Sequence, residues 1–254
     1  MYHFEYADKV KVKEQRKALE KLLHEVQDEV RDCFTFQYHF IGSSARNMIT
    51  YDPATNVGFD FDVNLEVNDN EEQYSAKEIR QTIERAFQKV YEKYGYTHFE
   101  NSKKVFTIKL YDSKTSKIIH SCDIAIVNYF IDEEGIEGRE YIALHKTSDS
   151  YSWQMQTKGF ALKEKEDWLK QQPGAWNAVR ERYLKKKNVN QYPNKHSCSL
   201  YAETIKEICD QYGFACKPYP TDEKEKRRAE GICSMREVPV INSNYCIKGP
   251  FFNT

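Results

Sequence analysis

The sequence predicts an α+β protein, with a sheet and flanking helices over residues 1–150 and a mainly helical C-terminal lobe over residues 151–254. Three observations carry that prediction. Phe59, Phe61, Val63, Leu65 and Val67 alternate with Asp60, Asp62, Asn64 and Glu66, the period of a half-buried strand. From Lys9 to about Cys33, Leu19, Leu22, Leu23, Val26 and Val30 recur among Lys and Glu at helical spacing. After about Ser150 the strand-like segments give way to helix-like ones.

The elements follow in order. The long amphipathic helix of Lys9 to Cys33 needs a partner for its apolar stripe. Phe34 to Ile41 is dense in aromatics and reads as a strand, and Gly42-Ser43-Ser44 then turns into a short helix from about Ala45. Phe59 to Val67 is the clearest strand, with one face core and the other acidic. Ser75-Ala76-Lys77-Glu78 is a capping box that opens a helix with Ile79, Ile83, Phe87, Val90 and Tyr91 on one side and Gly95 as its stop. Val105 to Tyr111 and Lys117 to Val127 read as neighbouring strands, and Asn128 to Lys146 as a hairpin around Asp132-Glu133-Glu134-Gly135. Helices are predicted near Lys163 to Lys170, from Pro173 to Lys187, and from about Ser199 to Tyr212 with Gly213 as a stop. Pro218 to Arg228 reads as a charged loop and Ile241 to Phe252 as a terminal strand or irregular tail.

Composition bounds the function. A chain of 254 residues with 30% charged and 40% hydrophobic positions can bury a real core, which excludes a disulfide miniprotein, a collagen-like repeat and a disordered tail. The absence of an apolar run of about 20 residues, and of a basic then apolar leader at Met1 to Tyr6, gives a cytoplasmic expectation with no membrane partner. Thirty-eight Lys/Arg against thirty-nine Asp/Glu leave a formal charge of -1, so any nucleic-acid contact must come from a local patch. The seven cysteines are odd in number and irregular in spacing, which suggests free thiols. Between Lys158 and Arg228 there are 16 Lys/Arg and 10 Asp/Glu, so the C-terminal part is basic and the N-terminal part acidic. Lobes of opposite sign suggest an anionic ligand between them.

The chemistry concentrates in three carboxylates. Asp60 and Asp62 stand at i and i+2 on one face of a strand, roughly 7 Å apart along the backbone, so both can reach one divalent cation. Asp123 lies in a strand that is apolar or small on both sides, where an ionised carboxylate is costly unless it is paired or bound to metal. Such a set can bridge two Mg²⁺ ions about 4 Å apart for in-line phosphoryl chemistry. The Gly42-Ser43 turn before a helix then has a role, because glycine lets the backbone approach phosphates.

Ile41-Gly42-Ser43, then Asp60-Phe61-Asp62-Val63, then Asp123 in Cys122-Asp123-Ile124 together resemble the signature of the nucleotidyltransferase superfamily that includes DNA polymerase beta. The spacer is slightly longer than usual, through Tyr51 to Asn56. The match is similar in particular to the branch of oligoadenylate synthases, cyclic GMP-AMP synthase and bacterial cyclic-oligonucleotide synthases. The long helix ahead of the Gly-Ser strand resembles that branch's spine helix. Arg182-Tyr183-Leu184-Lys185 and Ser197-Cys198-Ser199-Leu200-Tyr201 resemble the helix pair that supplies a lysine and a serine to the triphosphate.

The resemblance implies a polymerase beta-like nucleotidyltransferase sheet and two-metal transfer of an NMP from an NTP to a hydroxyl, with pyrophosphate released. It implies Asp60, Asp62 and Asp123 as catalytic and metal-binding residues for two Mg²⁺ or Mn²⁺ ions, and Gly42, Ser43, Lys185 and Ser199 as NTP-binding residues. A cyclic or linear oligonucleotide signal, in an antiviral defence setting, is the implied product, made on an acceptor nucleotide with RNA as a possible partner. A toxin- or resistance-type enzyme acting on tRNA, protein or antibiotic, and a non-catalytic nucleotide-binding module, stand as alternatives. His196, Cys198, Cys209 and Cys216 invite a zinc reading, but no CxxC pair exists and no structural zinc is expected. Tyr151-Ser152-Trp153, near the lobe boundary, suits either base stacking or a core or hinge role.

Overall fold

The sheet forms because several segments bury alternate residues against the same two helices. The structure, a computed structural model, describes residues 3–69, 73–131, 137–156, 162–190 and 195–214. The expected hairpin tip at 132–135, Lys158, Cys216, the charged loop 218–228 and the expected terminal segment 241–252 lie outside the described residues.

The chain starts with β1 (Glu5–Tyr6) and the long helix α1 (Lys9–Val30), whose first turn is capped by Asp8 accepting from Lys11 N at 2.9 Å. Then come β2 (Thr35–Ile41), the single helical turn α2 (Gly42–Ala45), β3 (Thr50–Tyr51) and β4 (Phe59–Asn68). The expected helix after the Gly-Ser turn thus begins at Gly42 itself and ends by Ala45. The capping box is formed as predicted, Ser75 and Glu78 exchanging side chain to backbone hydrogen bonds at the start of α3 (Ala76–Val90). A 3-10 turn then leads to Gly95, at φ +83.

The strands β5 (Tyr96–Asn101), β6 (Phe106–Tyr111), β7 (Ile118–Ile131), β8 (Glu137–His145) and β9 (Ser150–Met155) complete the sheet. Its order is β2-β4-β7-β6-β5, with β8 on β7 and β9 on β8. The β4–β7 pair is parallel and the others are antiparallel. The 14-residue β7 joins what the sequence divided into a strand and a hairpin arm. Its first half pairs with β6 and its last five residues with β8.

One face of the sheet is the core. Phe59, Phe61, Val63 and Leu65 of β4, Phe106 and Ile108 of β6, and Cys122, Ile124 and Ile126 of β7 are buried against Leu19, Leu22, Leu23 and Val26 of α1 and Ile79, Ile83 and Phe87 of α3. Tyr151 and Trp153 of β9 pack on this same cluster, and neither lines the acidic pocket described below. At about 25 cal/mol per Å² of apolar surface, this burial dominates the fold's favourable free energy.

The helices α4 (Lys163–Gln171), α5 (Ala175–Val189) and α6 (Ser197–Tyr212) make a second cluster around Leu169, Val179, Tyr183, Leu200, Ile205 and Ile208. Met48, from the turn after α2, is buried within it and so ties the sheet's loop to the helices. The N-terminal strand ties them again: Phe4 N donates to Asn188 Oδ1 at 2.6 Å, and the Tyr6 hydroxyl donates to the Arg180 carbonyl at 2.7 Å. Among the described residues no helix is long and apolar enough to cross a membrane.

The strands β1, β3, β5 and β9 escape the sequence reading for physical reasons. Two of them are two residues long. In β5 only Tyr96 is fully buried, so His98, Glu100 and Asn101 hide its period.

Gly58 generates a prediction. A Cβ there would come within 2.7 Å of the Ile118 and Ile119 carbonyl oxygens, backbone atoms of the neighbouring strand. Gly58→Ala should therefore push the start of β4 away from β7, with a loss of about 1–3 kcal/mol in urea unfolding. A variant as stable as the wild type would show that β4 and β7 do not pack this closely.

Candidate active site

Because β4 buries Phe59, Phe61 and Val63 on one face, Asp60, Asp62 and Asn64 must project from the other. Parallel register then sets Asp62 opposite Asp123 and Asp60 opposite Ser121, and β6 brings Thr107 opposite Asp123. Neighbouring strands lie about 4.8 Å apart, so three carboxylates share a small patch of sheet. They form one wall of a cavity of about 440 Å³, with Gly42, Ser43, Arg46 and Thr50 beside them. Tyr183, Lys187, His196, Ser197, Cys198 and Tyr201 of the helical lobe face them across it.

Hydroxyls engage two of the three acids. Thr107 Oγ1 donates to Asp123 Oδ1 at 2.6 Å, and Ser121 Oγ donates to Asp60 Oδ1. Asp62 instead faces Gly42. At φ +61 this position suits glycine, and a Cβ there would come to 2.6 Å from Asp62 Oδ2. The glycine is thus required by the acid as well as by the turn. The α2 turn is closed from within, the Ser44 hydroxyl donating to the Ile41 carbonyl at 2.6 Å and Met48 N to the Ser43 carbonyl at 2.9 Å.

The electrostatics follow from crowding like charges in a concave site. Burial, then Asp123 and then Asp60, push the Asp62 carboxyl up to about 7, against the pull of Arg46. Asp60 stands at the open side of the pocket, yet the protein around it also raises its carboxyl, with the Ser121 hydrogen bond opposing and Asp123 adding. Lys187 is the one lobe lysine or arginine that lines the cavity among the described residues. Its Nζ donates to Thr50 Oγ1 at 2.7 Å and lies 4.2 Å from the centre of the Phe4 ring. Burial lowers its pKa, and Asp60 opposes that shift. Three other lobe cations are paired on its surface, Lys186 with Glu203 and Glu207, Arg182 with Glu207, and Lys195 with Glu203.

The three carboxylates suit a divalent cation in donor type, being hard oxygen ligands for Mg²⁺ or Mn²⁺, and in charge, since a cation relieves the repulsion that raises Asp62. Among the described residues no three acidic, His or Cys side chains already stand converged as a metal-binding group. The hydroxyls of Ser121 and Thr107 hold Asp60 and Asp123 in place of such a set.

Of the residues singled out from sequence, the structure brings together Asp60, Asp62, Asp123, Gly42 and Ser43. It does not bring Lys185 or Ser199 to the pocket. Lys185 is exposed, and Ser199 is half-buried on α6 away from the cavity lining. Helical geometry explains both: Tyr183 faces the pocket, so the residue four later, Lys187, shares its face, and Lys185 falls on the other side. Ser197 and Tyr201 are likewise four apart on α6 and both line the site. Sequence reasoning missed Arg46, Thr50, Tyr183, Lys187 and Ser197. The i, i+4 spacing of Tyr183 and Lys187 was the signal that could have found the lysine.

No protein-family model matches the sequence, and no curated protein matches it significantly. Among solved structures, the STING-associated CdnE c-di-GMP synthase from Capnocytophaga granulosa is similar, with a TM-score of 0.52 and 16% identity over 84% of this chain. The chain spans 64% of the length of that synthase. The Vibrio cholerae di-nucleotide cyclase DncV, solved with GTP and 5MTHFGLU2, is similar over 88% of this chain and 60% of its own, with a TM-score of 0.48 and 17% identity. Its GTP-bound form covers 96% of this chain and 66% of its own at the same TM-score and identity. The CdnE likeness establishes the nucleotidyltransferase fold, a mixed sheet with flanking helices.

A carboxyl whose pKa is higher folded than unfolded contributes stability that is complete below its unfolded value and is lost as pH rises through its folded value. For Asp62 that window runs from 3.8 to about 7. In EDTA, therefore, Asp62→Asn should gain stability relative to wild type as pH rises from 4 to 8. At pH 8 it should melt a few degrees higher, at about 2–4 °C per kcal/mol for a chain of this size. Thermal unfolding across that range tests this, and parallel profiles for the two proteins would remove the electrostatic account.

Proposed function

We propose that the chain is a metal-dependent nucleotidyltransferase that moves an NMP from an NTP to a hydroxyl acceptor and releases pyrophosphate, making a cyclic or linear oligonucleotide signal. The observation that carries this reading is the register that sets Asp62 against Asp123 beside Asp60 on one wall of a cavity with Lys187 on its other side. The fold likeness supports it, since the similar CdnE protein is named a c-di-GMP synthase. The cavity, at about 440 Å³, falls in the range of small-molecule sites.

In this reading Asp60 and Asp62 hold the divalent ions and Asp123 joins them. Two such ions, when bound, activate an attacking hydroxyl and neutralise the charge that develops on the leaving group. Asp123, with Oδ1 tied to Thr107, offers Oδ2 to the acceptor hydroxyl. Lys187 faces the acids from the opposite wall and supplies positive charge to the phosphate chain, the role expected of Lys185. Ser43 and Ser197 line the same cavity and offer hydroxyl donors to phosphate oxygens. Tyr183 and Tyr201, edge to face at 5.8 Å, pack the wall behind them and keep it rigid.

Incubation with the four labelled NTPs and Mg²⁺ or Mn²⁺, with and without RNA, followed by chromatography, tests the proposal. A new small product with pyrophosphate is expected, whereas label on RNA or protein would assign a modifying enzyme. Asp60→Asn and Asp62→Asn should each cut turnover by about a hundredfold or more while the fold persists. Wild-type turnover in either variant would overturn the metal assignment.

The two lysines separate the structural assignment from the sequence-based one. Lys187→Ala should raise the KM for NTP about tenfold or more, as expected for losing a charge-assisted contact of about 1.5–3 kcal/mol, and Lys185→Ala should leave it within about twofold. The reverse ranking would restore Lys185 as the phosphate contact.

A further inference from the structure

We propose that Phe4 is a positioning residue for Lys187, so that the strap formed by residues 4–6 sets the affinity of the cavity for a phosphate chain; this rests on the proposed function, in which Lys187 contacts phosphate. The Lys187 ammonium has three donors, and among the described residues its one hydrogen bond goes to Thr50 Oγ1 at 2.7 Å. The Phe4 ring covers it, with Nζ 4.2 Å from the ring centre, while the Tyr183 ring stands further off at 6.0 Å. Both near contacts belong to one ribbon. Phe4 immediately precedes β1, and β1 pairs with β3 so that Tyr6 lies opposite Thr50.

The ribbon is fastened to α5 beside the lysine itself. Phe4 N donates to Asn188 Oδ1 at 2.6 Å, and Asn188 Nδ2 donates back to the Phe4 carbonyl at 3.0 Å, so the amide next to Lys187 bonds Phe4 as a neighbouring strand would. About two turns earlier on the same helix, the Tyr6 hydroxyl donates to the Arg180 carbonyl at 2.7 Å, and the Arg180 guanidinium lies 4.0 Å from the centre of the Tyr6 ring. Lysine is a flexible point charge, and an unseated one has many rotamers to lose on binding an anion. Asp60 is close enough to act on the charge of Lys187, yet the two form no ion pair among the described residues. The seat of ring and hydroxyl keeps the ammonium on its own wall, with its other donors directed to neither. That preorganisation is what Phe4 contributes.

Calorimetric titration with inorganic tripolyphosphate and excess Mg²⁺ tests this without knowledge of the base. Phe4→Leu, which keeps an apolar cover but removes the ring, and Asn188→Ala, which releases the strap, should each weaken binding by about three- to tenfold, the range of a partly desolvated cation–π contact. In a Lys187→Ala background Phe4→Leu should have no further effect, because it acts only through the lysine. Stepwise fluorination of the Phe4 ring keeps its shape while draining negative charge from its face, and affinity should fall with each fluorine. By reciprocity, tripolyphosphate should slow amide exchange at Phe4 in the wild type and not in Lys187→Ala.

Wild-type affinity in Phe4→Leu, or an equal loss whether or not Lys187 is present, would overturn the inference. Should Phe4→Leu fail to fold, the fluorinated series decides, and affinity unchanged across it overturns the inference. If Lys187→Ala weakens binding while the Phe4 variants do not, this inference falls and Lys187 keeps its place in the proposed enzyme. If no NTP is consumed but tripolyphosphate binding depends on Phe4 through Lys187, the enzyme reading falls and this one stands.

Discussion

The parallel pairing of β4 with β7 is the constraint on which the rest of the molecule depends. It sets two carboxylates, Asp62 and Asp123, directly across from each other, with a third on the next row. Like charges so placed repel, and the hydroxyls of Thr107 and Ser121 offset this only in part, since the Asp62 carboxyl is still raised. The opposite face favours it: Phe61, Cys122, Val63 and Ile124 are all but fully buried beneath these same residues. Slipping the register by one residue to separate the acids would turn those apolar side chains outward. The hydrophobic core therefore enforces a polar geometry that the polar groups would not adopt alone.

That same logic decides what the sequence could disclose. The alternation in β4 states both the core face and the acidic face, so Asp60 and Asp62 were legible from one strand. Asp123 was legible because a carboxylate stands out among Ile118, Ile119, Ile124 and Ile126. The helical wall was not legible to the residue. In a strand the neighbours at i+2 share a face, whereas in a helix a shift of two positions turns the side chain to the other side, and the lysine run at 185–187 offers three chances to choose. Lys185 lies on the outer face and Lys187 on the inner one.

Arg46 and Ser121 were hidden for a different reason. Their environment is made by partners far along the chain: Glu166 lies 120 residues from Arg46, and Asp60 lies 61 residues from Ser121. Neither periodicity nor a local motif reports such pairs. The charge tilt between the halves was real at the level of composition, yet Arg182, Lys186 and Lys195 spend their charge on Glu203 and Glu207. Net charge said which lobe was basic, and only the fold says which cation faces the acids.

The N-terminal strap gives the molecule a timetable. Residues 4 and 6 take their partners from residues 188 and 180, and β1 lies along β3. On a ribosome, residues 4 and 6 must wait for α5 before the contacts with residues 188 and 180 exist. The sheet and its long helix can assemble from the first 155 residues, since their pairings close within that span. The acidic face is thus exposed during synthesis, and its second wall arrives only when α5 does. Contacts of such sequence separation form late and slowly, so the step that completes the cavity is also the step that fastens Phe4 and Tyr6.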